Sequence, residues 1–116
     1  MVNKRKPLTF EKYQKRSRKT AIYPDLGDNH IYPTLGLVGE AGEIAEKVKK
    51  ILRDKGGNVG KKEKQELVKE MGDVLWYLSN LASELDLKLN EIAEINLQKL
   101  SSRKKRGKLH GSGDNR

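Results

Sequence analysis

The chain has 116 residues, a net charge of +9 and no cysteine, which points to one domain and excludes disulfides, thiolate metal sites and cysteine nucleophiles. With 34% hydrophobic against 35% charged residues, one copy buries little apolar surface, so the chain is expected to complete its core by pairing with copies of itself. No apolar run nears the roughly 20 residues that cross a bilayer, and the basic N-terminus has no apolar stretch behind it, so a cytoplasmic chain with neither membrane span nor secretory signal is expected.

The first helix is predicted from about Thr9 to Thr20, with Phe10 and Tyr13 as its few apolar positions. AIYPDLGDNHIYP follows as a loop, because two prolines, a glycine and a DN pair punctuate it. The second helix is predicted from Pro33 to Asp54. Leu37, Ala41, Ile44, Val48, Ile51 and Leu52 recur on one face, and Gly56-Gly57 ends it. A third helix spans Lys61 to Leu85, with apolar positions 67, 71, 74, 78, 81 and 85 in alternating steps of four and three. A fourth runs from Lys88 to Lys104, and the glycine-rich RGKLHGSGDNR end reads as a tail. There is no strand pattern, so the fold class is all-α, a four-helix arrangement. The division is a basic N-terminal helical segment (1–20), a helical domain (21–104) and a polar tail (105–116).

Two carboxylate pairs carry the candidate chemistry: Glu40-x-x-Glu43 on helix two and Glu70-x-x-Asp73 on helix three. Residues three apart are neighbours on a helix surface. Glu40 falls beside the apolar arc of its helix, with Glu43 and Lys47 one step further round. Glu70 sits at the edge of the Leu67–Met71–Val74–Leu78 seam, beside Asp73, with Tyr77 and Glu66 on the same shoulder. If the helices pack through these faces, four carboxylates meet at one rim. A divalent cation makes that tolerable, and an all-oxygen set suits Mg²⁺ or Mn²⁺ rather than zinc. The competing reading is a solvated face, since E-x-x-E is common on exposed helices. The glycines at 36, 39 and 42 would let a neighbouring helix or ligand approach closely.

On helix four, Asn96 lies within the apolar arc of Leu89, Ile92, Ala93 and Leu100, and Lys99 and Arg103 follow on its edge. A buried Asn needs a partner. Either Asn96 satisfies nearby backbone, or it faces a ligand whose phosphates meet Lys99 and Arg103. The two chain ends are basic, net +7 over residues 1–20 and +5 over 103–116, while the body between them is net −3. Such ends suit a nucleic acid, a nucleoside triphosphate or simple solvation.

These residues bear a resemblance. GLVGEAGEIAE, then KEMGDVLWYL after 26 residues between Glu43 and Glu70, then NLQKLSSR at 96–103, together resemble the MazG-like nucleotide pyrophosphohydrolases of the all-α NTP pyrophosphatase superfamily. The closing RGKLHGSGDNR is similar to the ending of a short, single-domain group of them. The resemblance covers roughly residues 30–116. It implies a helical fold completed by homo-oligomerisation as a homodimer or homotetramer, and cleavage of a (d)NTP between the α and β phosphates to the (d)NMP and pyrophosphate, in nucleotide-pool control or removal of non-canonical nucleotides. It implies that Glu40, Glu43, Glu70 and Asp73 bind Mg²⁺ and that Glu40 or Glu43 activates water. Substrate contacts would come from His30, Lys47, Tyr77, Asn96, Lys99 and Arg103, and from Asp114 and Arg116 in a tail acting as a lid. The acidic body and few aromatics disfavour a nucleic-acid-binding module, and the intact carboxylates disfavour a non-catalytic regulatory protein.

Overall fold

The computed structural model describes residues 6–116; residues 1–5 of the basic N-terminal segment lie outside the described residues. Four helices follow in order, α1 (Phe10–Arg18), α2 (Ile31–Lys55), α3 (Lys61–Glu84) and α4 (Leu89–Lys105). Every boundary falls within two residues of the sequence expectation, and no strand occurs among the described residues. Local chemistry explains the ends. The Thr9 hydroxyl accepts from the Lys12 N–H at 3.1 Å and starts α1. Gly56 adopts the left-handed conformation (φ 61°) that closes α2. The Glu63 carboxylate accepts from the Gly60 N–H at 2.9 Å and from Lys55 at 2.7 Å, so one side chain starts α3 and ties it to the end of α2.

The contact between α1 and α3 is unusually polar. Ser17 and Ser79 are buried and share a hydrogen bond at 3.1 Å. Arg18 donates to Asn80 at 3.0 Å, and the Trp76 indole donates to Thr20 at 2.8 Å. Each of these groups finds a partner, as buried polar atoms must. Glu84, at the end of α3, anchors the 19–30 loop. Its side chain has no exposed surface and pairs with Arg18 at 2.7 Å. It also accepts from the Tyr23 hydroxyl and from the backbone N–H of Gly27 (3.0 Å) and Asn29 (2.7 Å). The Asn29 side chain then accepts from Tyr32 N–H at 3.0 Å, so this anchor sets where α2 begins. Gln14 does similar work for α4: it accepts from Leu89 N–H at 2.8 Å and donates to the Leu87 carbonyl at 2.9 Å.

The main helix pair is the α2–α3 hairpin; α1 rests on α3, and α4 rests on α1. The face that α2 turns inward is not the expected one. Pro33 and Ile51 are buried and Leu37, Glu40, Ile44 and Lys47 half-buried, while Ala41, Val48 and Leu52 are exposed. The inward seam is therefore 33–37–40–44–47–51, one step round from the face predicted through Ala41, Val48 and Leu52. On α3 the corresponding half-buried positions are Glu63, Leu67, Glu70, Val74, Tyr77 and Leu81, while Met71 is exposed.

The four helices do not close one compact core. The radius of gyration is 17.1 Å, against about 13 Å for a compact chain of this length. The accessible surface is 9275 Å², where about 6,400 Å² is usual for a monomer of this mass. The excess includes Leu35 and Val38 on α2, Val68 on α3, and Ile95 and Leu97 on α4, each roughly two-thirds exposed. No helix is long and apolar enough to cross a membrane.

Candidate active site

Because Glu40 and Glu70 occupy seam positions, the packing of α2 on α3 points them at one another. Glu40, Glu70 and Asp73 each bring a carboxylate oxygen to within 4.8 Å of the others. Glu40 and Glu70 are half-buried and Asp73 is exposed, so the cluster opens to one side of the hairpin. Burial raises the Glu40 pKa, and a hydrogen bond with Glu70 and the charges of Asp73, Glu70 and Glu43 push it the same way. Glu43 is exposed and stands outside the close set, although its charge reaches Glu40. Lys47, one seam step beyond Glu43, lies 4.0 Å from Glu70. It supplies partial compensation for the three carboxylates.

An aromatic wall borders the cluster. Tyr77 is one turn from Asp73 on α3 and lies against Gly36, one turn before Glu40 on α2. A Cβ at Gly36 would stand 2.2 Å from the Tyr77 ring, so glycine is required there. At Gly39 and Gly42 nothing in this chain lies within 4 Å of such a Cβ. Of the three glycines expected to admit a close neighbour, only Gly36 has one here. The Tyr77 hydroxyl pKa is raised by burial, then by Tyr32, Glu40 and Asp73. Tyr32 stacks on Tyr23 at 4.9 Å and leans toward Tyr77 at 6.5 Å. Tyr13 of α1 also reaches this region, its pKa raised by burial and by the charge of Asp73. The sequence marks neither Tyr13 nor Tyr32 for this site: Tyr13 reads as an apolar position of α1, and Tyr32 lies in a stretch that reads as loop.

The remaining predicted residues lie elsewhere. His30 is exposed just before α2, and its carbonyl accepts from the Thr34 hydroxyl at 2.7 Å. Asn96 is exposed, not buried within an apolar arc, as are its neighbours Ile95 and Leu97. Lys99, Arg103 and Asp114 come together: Asp114 Oδ1 lies 3.2 Å from Lys99 Nζ and 3.4 Å from Arg103 Nη2. Arg116 is turned into the tail, donating to the carbonyls of Lys108 (2.9 Å), Leu109 (2.8 Å) and Gly113 (2.6 Å). Among the described residues no hydrogen bond or ion pair links this group to the carboxylate cluster.

The family model "MazG nucleotide pyrophosphohydrolase domain" matches residues 29–107, the stretch that contains the carboxylate hairpin and α4. The chain is 53% identical over 109 residues to the "Gene 37 protein" of Mycobacterium phage L5, covering 90% of this chain and 96% of that one. No solved structure matches it.

Proposed function

Because the chain belongs to the MazG nucleotide pyrophosphohydrolase domain family, we propose that it hydrolyses a nucleoside or deoxynucleoside triphosphate between the α and β phosphates, releasing the monophosphate and pyrophosphate. The observation that carries this reading is the convergence of Glu40, Glu70 and Asp73 within 4.8 Å in the α2–α3 seam. Three carboxylates with one lysine at 4.0 Å leave an excess of negative charge, and an all-oxygen donor set fits Mg²⁺ or Mn²⁺. Glu40, Glu70 and Asp73 would hold the ion, with Glu43 joining them by a change of rotamer. A bound divalent ion supplies charge neutralisation at the phosphates and acidifies coordinated water.

The protein's own groups divide the remaining work. Glu40 or Glu43 orients the attacking water and accepts its proton. Lys47 offsets charge beside Glu70. Tyr77 borders the space where a nucleoside would lie, and His30, exposed just before α2, would contact the base or sugar. Asn96, Lys99 and Arg103 stand on α4, which in one copy packs chiefly on α1 rather than on this hairpin. The surplus surface and the bare apolar residues on α2 and α4 support a homo-oligomer in which a second copy brings its α4 to the site. Nucleotide-pool control, or removal of non-canonical nucleotides, is the biological role that fits such an activity.

The test is hydrolysis of a panel of standard and modified NTPs and dNTPs with Mg²⁺ or with EDTA, separating pyrophosphate from orthophosphate. Metal-dependent release of pyrophosphate is expected. Folded protein that turns over none of them would overturn the proposal.

A further inference from the structure

We propose that Lys99 and Arg103 form a phosphate seat that the chain fills with its own Asp114, and that residues 107–116 are a plug which an incoming phosphate group displaces. The inference rests on the reading above that these two cations meet substrate phosphates; what it adds is the occupant and its release.

The contacts of the tail support this. Arg103 is only 4% exposed, yet its guanidinium is poorly matched. Nη2 serves three acceptors, the carbonyls of Asp114 (2.6 Å) and Gly113 (3.3 Å) and the Asp114 carboxylate (3.4 Å). Nε is buried with no partner at all. An arginine fork bound by a phosphate or a bidentate carboxylate would use two donors in parallel. Asp114 instead approaches one edge of the fork and shares its oxygen with Lys99 at 3.2 Å. It places a negative oxygen between the two cations and leaves a donor over for a larger anion.

The plug is also built to leave. The Asp114 side chain is 84% exposed, and exposed ion pairs hold weakly. The segment is stapled to itself, because Arg116 ties the carbonyls of residues 108, 109 and 113. Gly111 gives Arg116 room: a Cβ there would meet its Cδ at 2.5 Å. Gly107, at φ 67°, marks the point where the segment departs from α4. Besides Arg103 and Lys99, α4 holds the segment through Arg106, which donates to the Arg116 carbonyl at 2.8 Å, and through the Lys108 N–H on the Arg103 carbonyl at 2.7 Å; release breaks the Arg106 bond, and the segment swings about Gly107 beyond that last helix cap.

The experiment uses the full chain in EDTA with inorganic pyrophosphate as the probe, followed by calorimetry and by the ¹⁵N–¹H signals of Gly111, Gly113 and Arg116. In the native protein, pyrophosphate is expected to move these three signals to unstructured positions. Removing the internal competitor raises affinity by the reciprocal of the fraction of time the seat is open. Asp114→Asn and Arg116→Ala, which loosens the staple without touching either cation, should each tighten pyrophosphate by about threefold or more. Lys99→Ala should weaken it. Tail signals unmoved at saturation, no tightening in both tail variants, no effect of Lys99→Ala, or no pyrophosphate binding would each overturn the plug. The readout needs no catalysis, so a tail released by pyrophosphate in a protein that hydrolyses nothing keeps this inference and removes the enzymatic one. Nucleotide hydrolysis with an unmoved tail does the reverse.

Discussion

The two ends of α3 treat carboxylates in opposite ways. At its C-terminal end Glu84 is buried; burial alone would raise its pKa. Hydrogen bonds from Tyr23, from the N–H groups of Asn29 and Gly27 and from Arg18 outweigh that and hold it down at about 2. Near its middle, Glu70 and Asp73 meet Glu40 with Lys47 as the nearby cation, and the Glu40 pKa goes up. One carboxylate has every oxygen matched by donors and serves the fold. The other three have fewer donors than oxygens, which is the condition a cation corrects. Donor count, more than burial, separates the structural acid from the chemical ones.

Substitution should separate the two kinds most strongly. Asp73→Ala and Glu70→Ala are each expected to lower pyrophosphate release at least about a hundredfold, a loss of about 3 kcal/mol in transition-state stabilisation. The thermal midpoint should rise, by about 4 °C for about 1 kcal/mol of relieved repulsion. Glu84→Gln should do the reverse. Leaving Arg18 and two backbone N–H groups poorly matched should remove about 3 kcal/mol or more of stability in urea denaturation. A stable Glu84→Gln, or an unstable Asp73→Ala, would dissolve the distinction.

Acid offers a second way to divide them. The folded-state pKa of Glu84, about 2, lies below the ordinary value near 4.3, so the unfolded chain binds the extra proton in between. Its contribution, about 3 kcal/mol, is present above that ordinary value and is lost as pH falls toward 2. Glu40 pulls the other way: its raised pKa makes the folded state the tighter proton binder, so stability declines as pH rises through that pKa. Urea midpoints measured from pH 2 to 7 should fall steeply below about pH 4. Glu84→Gln should flatten that slope.

Smaller effects follow from metal and from glycine. Mg²⁺ at a hundred times its dissociation constant should stabilise the protein by about 2.7 kcal/mol, reversed by EDTA and absent in Asp73→Ala. Calorimetry with and without the ion checks this. Gly36→Ala forces its Cβ onto Tyr77 and should cost about 1–3 kcal/mol. Gly42→Ala, facing open space in this chain, should be neutral or stabilising by up to about 1 kcal/mol. Destabilisation by Gly42→Ala that grows with protein concentration would instead place a second copy against that face of α2.

Much of this molecule is legible without coordinates, though not its packing faces. The helix limits follow from Thr9, the Gly56-Gly57 pair and Gly60, which act within a turn of themselves. The inward face of α2 does not, because that helix is apolar on two sides. Leu37, Ile44 and Ile51 form one stripe, and Leu35, Val38 and Leu52 form another centred about 130° away. Only the packing on α3 chooses the first, and that choice moves Glu40 from the rim into the seam. Glu84, Gln14 and Tyr13 gave no signal, since each acts on residues 55 or more positions away in sequence. Periodicity puts Asn96 in an apolar arc, but it is exposed together with Ile95 and Leu97, because periodicity does not say whether a partner covers that face.

The sequence by itself determined four helices, their ends, the two carboxylate pairs and the family, because caps, periodicity and motif spacing are local properties of the chain. The tertiary structure alone decided which three carboxylates meet, that Glu84 is an anchor, and that Asp114 sits on Lys99 and Arg103. Those outcomes depend on how many donors arrive from distant segments, and a linear pattern does not encode which of two apolar faces will be buried.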